Sequence, residues 1–315
     1  MDIVKKDKDS VRSVVIVTGC GSGIGFELAK TLYELNQYFV IATCRGHHVQ
    51  RLQSIFGENE NFQIKELDIL NEENIYHVVH DICSLYGRID VVVNNAAVCF
   101  RGVVEHMDSE AELLQLKTNY LGPMALIRAV LPIMREQRSG QIINISSVSG
   151  ILAMPTMGSY SASKHALQGA TEALWYETQP FGINVNLVEL GFVNSESFNN
   201  VLLSNKARLS TIINGPHSEY YTSMTPFIES LMKLSFTSPE KIAHKILKTI
   251  QSRPQSLRIF ATPDVWLFDL MRRLTPSSIL NRILYWMLPG SVKWGGRWKK
   301  KELPKKMDRA QATGF

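Results

Sequence analysis

Along the first 195 residues, apolar positions follow two alternating patterns. Short runs of Val and Ile, too continuous for a strand with one wet face, alternate with segments whose apolar residues recur every three or four positions. The runs SVVIVTG (13–19), YFVIATC (38–44), FQIKELD (62–68), IDVVVNNA (89–96), QIINISS (141–147) and INVNLVELG (183–191) predict six strands. Between them, IGFELAKTLYEL (24–35) and EENIYHVVHDICSLYG (72–87) predict helices, the latter with Ile75, Val78, Val79, Ile82 and Leu85 on its apolar face. Strands that are apolar throughout are buried on both faces, so the pattern predicts a doubly wound α/β architecture, a parallel sheet with helices on each side.

After Phe192 the alternation stops until about Phe236, and this irregular stretch is expected to form a substrate lid or a surface excursion packed on the core. The helix pattern restarts in SPEKIAHKILKTIQS, with Ser238 as N-cap and Pro239 at the first helical position. SLRIFA (256–261) predicts a last strand. Residues 1–262 thus read as one catalytic domain that includes the lid at about 192–236, and residues 263–315 as an amphipathic, basic extension. Within that extension, Arg272, Arg273 and Arg282 are interspersed with apolar residues, Pro276 breaks the helix, and Trp294, Trp298 and a lysine cluster follow. Two such helices suit peripheral contact with a membrane surface, or a cap on the core or a subunit interface.

With 315 residues, 45% hydrophobic and 20% charged, the chain has the composition of an ordinary globular protein. The net charge of +5 is concentrated at the C-terminal end, and basic residues do not cluster within the domain, so no nucleic-acid partner is expected. Cys20, Cys44, Cys83 and Cys99 form no C-x-x-C pair and have no histidines at ligand spacing, so they read as reduced thiols and no metal site is expected. The polar start MDIVKKDKDSVR has no apolar signal region, and no run is long enough to span a bilayer. A cytoplasmic protein is expected, with the tail as its candidate membrane contact.

The candidate chemistry begins at TGCGSGIG, between the first strand and its helix. Gly19 permits a tight turn, Gly23 lets a pyrophosphate approach the backbone, and Gly25 lets the helix pack close to the strand. The helix N-terminus there offers unpaired N–H groups to phosphates. At the end of the second strand Cys44 stands where a ribose-binding carboxylate is expected, followed by Arg45. A guanidinium without that acid favours NADP(H) over NAD(H), unless Arg45 is merely solvated. Asp68 closes the third strand within reach of an adenine amino group, and the small residues of NNAA (94–97) allow a cofactor close to the backbone. In YSASK, Tyr160 and Lys164 lie one helical turn apart.

In order and spacing, TGCGSGIG, NNAA, Asn119 in KTNYLGP, Ser147 in INISSVSG, YSASK and LGFVNS resemble the short-chain dehydrogenase/reductase family. The resemblance covers residues 12–195 and continues more loosely to 262. It implies a Rossmann fold and catalysis by Asn119, Ser147, Tyr160 and Lys164. Of the adjacent serines Ser146 and Ser147, the spacing to Tyr160 favours the second. Cofactor contacts are implied at Thr18, Gly19, Ser22, Gly23, Ile24, Gly25, Arg45, Asp68, Ile69, Asn95, Ala96, Tyr160, Lys164, Gly191, Val193 and Ser195. Tyr160 would act as general acid/base, its pKa lowered by the Lys164 ammonium and an oxidised nicotinamide. Ser147 would orient the substrate oxygen, and Asn119 would hold a water that links Lys164 to solvent. The sequence departs from the family at Ala97, where glycine is usual, and at Leu190, where proline precedes Gly191. The lid and tail resemble the hydroxysteroid/retinol dehydrogenase-like subgroup, which implies a hydrophobic alcohol or ketone substrate. Subunit pairing as a homodimer or homotetramer is also implied. Two alternatives stay open: a nucleotide-sugar epimerase or dehydratase, and a non-enzymatic cofactor-binding sensor.

Overall fold

The computed structural model describes residues 12–57, 59–194, 201–212 and 215–294. Seven strands form one parallel sheet: β1 (Val14–Val17), β2 (Phe39–Cys44), β3 (Phe62–Glu66), β4 (Val91–Asn94), β6 (Gly140–Ser147), β7 (Ile183–Leu190) and β9 (Arg258–Phe260). A separate parallel ribbon pairs β5 (Phe100–Arg101) with β8 (Leu202–Leu203). In the large sheet the order is β3-β2-β1-β4-β6-β7-β9, so all seven predicted strands are present in a doubly wound, Rossmann-type arrangement. The chain runs outward from β1 to β3, then returns to the other side of β1 with β4. That reversal leaves a crevice at the C-terminal ends of β1 and β4, where such sheets bind ligands.

The unbroken apolar runs are explained by the two faces. Val15 and Val17 pack on one side with helices α1 (Gly23–Leu35), α2 (Gly46–Phe56) and α9 (Pro239–Ser252). Val14 and Ile16 pack on the other side with α3 (Glu72–Tyr86), α5 (Gly122–Gln137) and α6 (Gly158–Thr178). Each such side chain contributes about 1.5–3 kcal/mol on burial. In α3 the predicted stripe holds for Ile75, Val78, Val79 and Ile82, but Leu85 is exposed. At the last turn Tyr86, four residues after Ile82, takes the inward position and packs on Phe39 with ring centroids 4.8 Å apart. The predicted cap of α9 is present, with the Ser238 hydroxyl accepting from Lys241 N–H at 3.4 Å.

The lid differs from the irregular stretch expected. Besides β8 it contains α7 (Asn205–Ile212) and α8 (Ser218–Leu234), and α8 buries Tyr221, Met224 and Ile228 despite an internal Pro226. A short helix α4 (Ser109–Leu116) and α5 flank the turn that carries Asn119. The C-terminal extension forms α10 (Pro263–Leu274) and α11 (Ser277–Met287), which bury one residue each, Val265 and Leu280. Among the described residues, no helix is long and apolar enough to cross a membrane.

Candidate active site

The glycine loop is stitched to the end of β4. The Thr18 hydroxyl accepts from Asn95 and Ala96 N–H, both at 3.0 Å, and Asn95 Nδ2 donates to the Thr18 carbonyl at 2.9 Å. Gly19 has φ +74°, and a Cβ there would meet Ala96 Cα at 2.8 Å, so only glycine fits this turn. A Cβ on Gly25 would collide with the Gly19 carbonyl and Asn95 Nδ2, which keeps α1 close to the loop. Gly23, at φ +59°, has nothing within 4 Å of such a Cβ. Ser22 is the N-cap of α1 but makes no side-chain cap, and the first turn, which contains Ile24, carries no acid. Open space beside first-turn N–H groups with no side-chain cap fits a dinucleotide pyrophosphate.

A basic corner lies next to this loop. Arg45 is the N-cap of α2, and Arg51 Nη1 donates to the Gly21 carbonyl at 2.8 Å. The pKa of His48 falls below its ordinary value, first from burial and then from His47, Arg45 and Arg51. The fold also brings in an acid that the sequence reading missed: Glu66, at the end of β3, is the first group a Cβ on Gly46 would strike. Asp68 is exposed, and its Oδ1 accepts from Leu70 N–H at 3.0 Å, so it caps its own turn. The side chain of Ile69 packs into the core beside Gly122.

The four residues expected to be catalytic converge at the C-terminal end of β6. The Ser147 hydroxyl accepts from Ser149 N–H at 3.2 Å and stands beside the Tyr160 phenol, whose pKa it lowers. Ser146 is buried and its hydroxyl accepts from Gln168 Nε2 at 3.0 Å, so Ser147 is the serine that faces the phenol. Lys164 Nζ is buried, donates to the Ile145 carbonyl at 2.9 Å and lies 5.9 Å from the Tyr160 ring centroid. Asn119 sits in a π-turn (Lys117–Leu121), a widened helical turn often found at functional sites. Its side chain is fully engaged as a clamp. Oδ1 accepts from Val98 N–H at 2.9 Å, while Nδ2 donates to the Val98 carbonyl at 2.9 Å and to Ser163 Oγ at 3.0 Å. This amide ties the segment after β4 to α6, and both its donor hydrogens are used.

The Tyr160 pKa lies above the ordinary phenol value, raised first by burial and then by the neighbouring Cys99, against the lowering effect of Ser147. Lys164, committed to Ile145, does not offset this. The Lys164 pKa is itself lowered to about 8, by burial, with Cys99 acting in the opposite direction. The sequence read Cys99 only as a reduced thiol. In the fold it faces both Tyr160 and Lys164, its own pKa pushed up to about 12 by burial. Its position just after NNAA was the available signal.

The loop after β7 compensates for the missing proline. Gly191 N–H donates to Thr262 Oγ1 and Phe192 N–H to Asp264 Oδ2, each at 2.9 Å. Asp264 packs so closely on Gly191 that no Cβ fits there. The start of α10 thereby braces the segment containing Gly191 and the buried Val193. Ser195, expected to meet the nicotinamide carboxamide, lies outside the described residues.

Comparison with known proteins agrees with this geometry. The family described as short chain dehydrogenase matches residues 13–206. A dehydrogenase/reductase (SDR family member 7B) from Xenopus laevis is 33% identical over 193 residues, covering 58% of this chain and 59% of its own. The 3-ketodihydrosphingosine reductase of Bacteroides thetaiotaomicron is 32% identical over 270 residues, 82% of this chain and 94% of its own. Retinol dehydrogenase 8 of Bos taurus is 33% identical over 251 residues, 78% and 80% of the two chains. The crystal structure of a short-chain dehydrogenase from Streptomyces avermitilis superposes with a TM-score of 0.70 at 28% identity, covering 88% of this chain and 96% of that one. The chain belongs to the short-chain dehydrogenase/reductase family, with retinol dehydrogenase among its relatives, and is an NAD(P)-dependent oxidoreductase.

Proposed function

We propose that this protein interconverts a hydrophobic alcohol and its carbonyl compound with NADP(H), with Tyr160 as the group that gives and takes the proton. The observation that carries the reading is the Tyr160–Ser147 pair under an apolar rim. Val104 is 83% exposed and lies 3.7 Å from where a Cβ on Gly158 would stand, two residues before Tyr160. Leu202, on lid strand β8, is also exposed. The names of the two relatives that act on a ketosphingoid base and on retinol support a lipid-like substrate. When bound, the nicotinamide supplies or accepts the hydride. Ser147 hydrogen-bonds the substrate oxygen, Tyr160 protonates it in reduction, and Lys164 reaches the adjoining ribose. Any water relay at Asn119 uses the main chain of its π-turn, because the side chain is taken.

The cofactor preference rests on a balance at the basic corner. Arg45 and Arg51 favour a 2′-phosphate, whereas Glu66 opposes it and favours the free hydroxyls of NAD(H). Two guanidinium groups against one exposed carboxylate favour NADP(H). The purified chain, assayed by nicotinamide absorbance on long-chain and polycyclic ketones and on short polar ones, is expected to consume NADPH with the former. Arg45→Asp is expected to lower kcat/KM for NADPH about 10- to 100-fold, the worth of a charge-assisted hydrogen bond, and to spare NADH. An unchanged NADPH/NADH ratio overturns the phosphate assignment, and preference for the short polar ketones overturns the substrate class.

The extension is proposed as a peripheral membrane contact. Trp266, Leu274, Ile279, Ile283, Trp286 and Met287 are exposed on α10 and α11 among the exposed Arg272, Arg273 and Arg282. Apolar residues interleaved with cations suit the boundary of an anionic bilayer. The intact chain is expected to co-sediment with anionic phosphatidylserine vesicles, and Trp286→Glu with Ile283→Glu to release it without loss of turnover on a water-soluble ketone. No difference between the two proteins rejects this contact and favours a subunit interface. Pairing into a homodimer or homotetramer is also a proposal, supported by exposed Leu113, Leu114 and Leu121 on α4 and the turn after it.

A further inference from the structure

The lid helix α8 meets the turn Val104–His106 through a cluster that has no part in the hydride chemistry. His217, at the N-terminal cap of α8, lies with Nε2 2.6 Å from Glu105 Oε2. The rings of His217 and His106 stand 4.9 Å apart and nearly perpendicular. His106 Nδ1 lies 3.0 Å from the Tyr221 hydroxyl, one helical turn into α8, and that hydroxyl accepts from Val103 N–H at 3.0 Å. One donor atom from each of Glu105, His106 and His217 lies within 4.8 Å of the others. His217 Nδ1 is buried and has no hydrogen-bond partner among the described residues. The ligands are 111 residues apart in the chain, so sequence spacing gave no hint of them.

We propose that Glu105, His106 and His217 form a binding site for a zinc-type divalent cation, which fastens the lid helix to the turn before α4. Two imidazoles and one carboxylate are the donor set such ions select, in preference to calcium or magnesium, which want oxygen alone. Donor atoms around tetrahedral zinc stand about 3.3 Å apart, so separations of up to 4.8 Å must close by at most about 1.5 Å, while the 2.6 Å Glu105–His217 contact opens by about 0.7 Å. Tyr221 supplies the outer contact: with one ring nitrogen of His106 held by the phenol, the other is left for the metal. Because the turn and β8 are joined by Ser204 Oγ donating to the His106 carbonyl at 2.7 Å, a metal here would tie both parts of the lid to the rim of the site.

The test uses the full chain, stripped with a chelator and titrated with zinc chloride, read by calorimetry and thermal unfolding rather than by turnover. One saturable site is expected, with Tm rising by about 4 °C at a hundredfold excess over Kd, and magnesium chloride giving no shift. Glu105→Gln, which keeps an acceptor for His217 at an exposed position, and His217→Gln are each expected to weaken zinc at least about tenfold, each read against the variant's own metal-free Tm. Zinc should also slow proteolytic cleavage within α8 in the wild type and not in His217→Gln. Absence of saturable binding at about 50 µM zinc, or wild-type affinity in both variants, overturns the proposal.

Discussion

Tyr160→Phe is expected to lower turnover by about 10²–10⁴-fold, the usual worth of a positioned proton donor, and to leave cofactor affinity within about twofold of wild type. The phenol stands beside the Ser147 hydroxyl, and burial with Cys99 nearby keeps that phenol protonated well above neutral pH. A protonated phenol is ready to give its proton to a carbonyl oxygen that receives a hydride, so the loss should appear in kcat for reduction at any neutral pH. The substitution removes one oxygen and keeps the ring, so packing and cofactor binding should survive. Steady-state rates with NADPH, together with a fluorescence titration of the cofactor, measure the two halves separately. Residual turnover within tenfold of wild type would sink the role assigned to Tyr160. Weakened cofactor binding instead would make Tyr160 a structural part of the crevice.

How much of this was legible from the chain follows from the range of the interactions involved. The strands were legible because burial on two faces leaves a local trace: VVIV admits water on neither side, and Val14/Ile16 and Val15/Val17 divide between two cores. The glycine loop was legible because the positive φ of Gly19 and the approach of Gly25 to the Gly19 carbonyl lie within one strand–turn–helix unit, although the Ala96 that also crowds Gly19 does not. The lid was not. Its helix α8 carries Pro226 in mid-course, and β8 pairs with β5 across about a hundred residues, for which no local pattern exists. Separations from 20 residues (Gly46 to Glu66) to 73 (Gly191 to Asp264) likewise hid Glu66 beside Gly46, Asp264 against Gly191, and Cys99 near Tyr160 and Lys164. The four candidate catalytic positions could be named in advance, but their charge states could not, because burial is a property of the assembled fold. The sequence reading could name Lys164 and an oxidised nicotinamide as groups that would lower the Tyr160 pKa, but not the burial and the Cys99 neighbour that raise it.

Lys164→Met separates function from stability more sharply than any other change. Turnover is expected to fall about 10²-fold or more, because a positioned cation beside the reacting oxygen and ribose is lost. Stability near pH 7 is expected to rise. The lysine pKa drops from 10.5 to about 8 in the fold, which corresponds to about 3 kcal/mol against the buried ammonium. Methionine occupies a similar volume without charge. Losing the hydrogen bond to the Ile145 carbonyl costs about 1 kcal/mol, so roughly 2 kcal/mol remains, or about 3 °C in Tm for a chain of this size. With the folded pKa below the unfolded one, the penalty is fully present below about pH 8 and fades as pH rises toward 10.5, where both states are neutral. The stabilisation by methionine should therefore vanish near pH 10, which thermal unfolding at the two pH values can follow. A Tm lowered by several degrees at both would mean that the ammonium is held by more than Ile145, and that burial of Lys164 is not the cost that its lowered pKa implies.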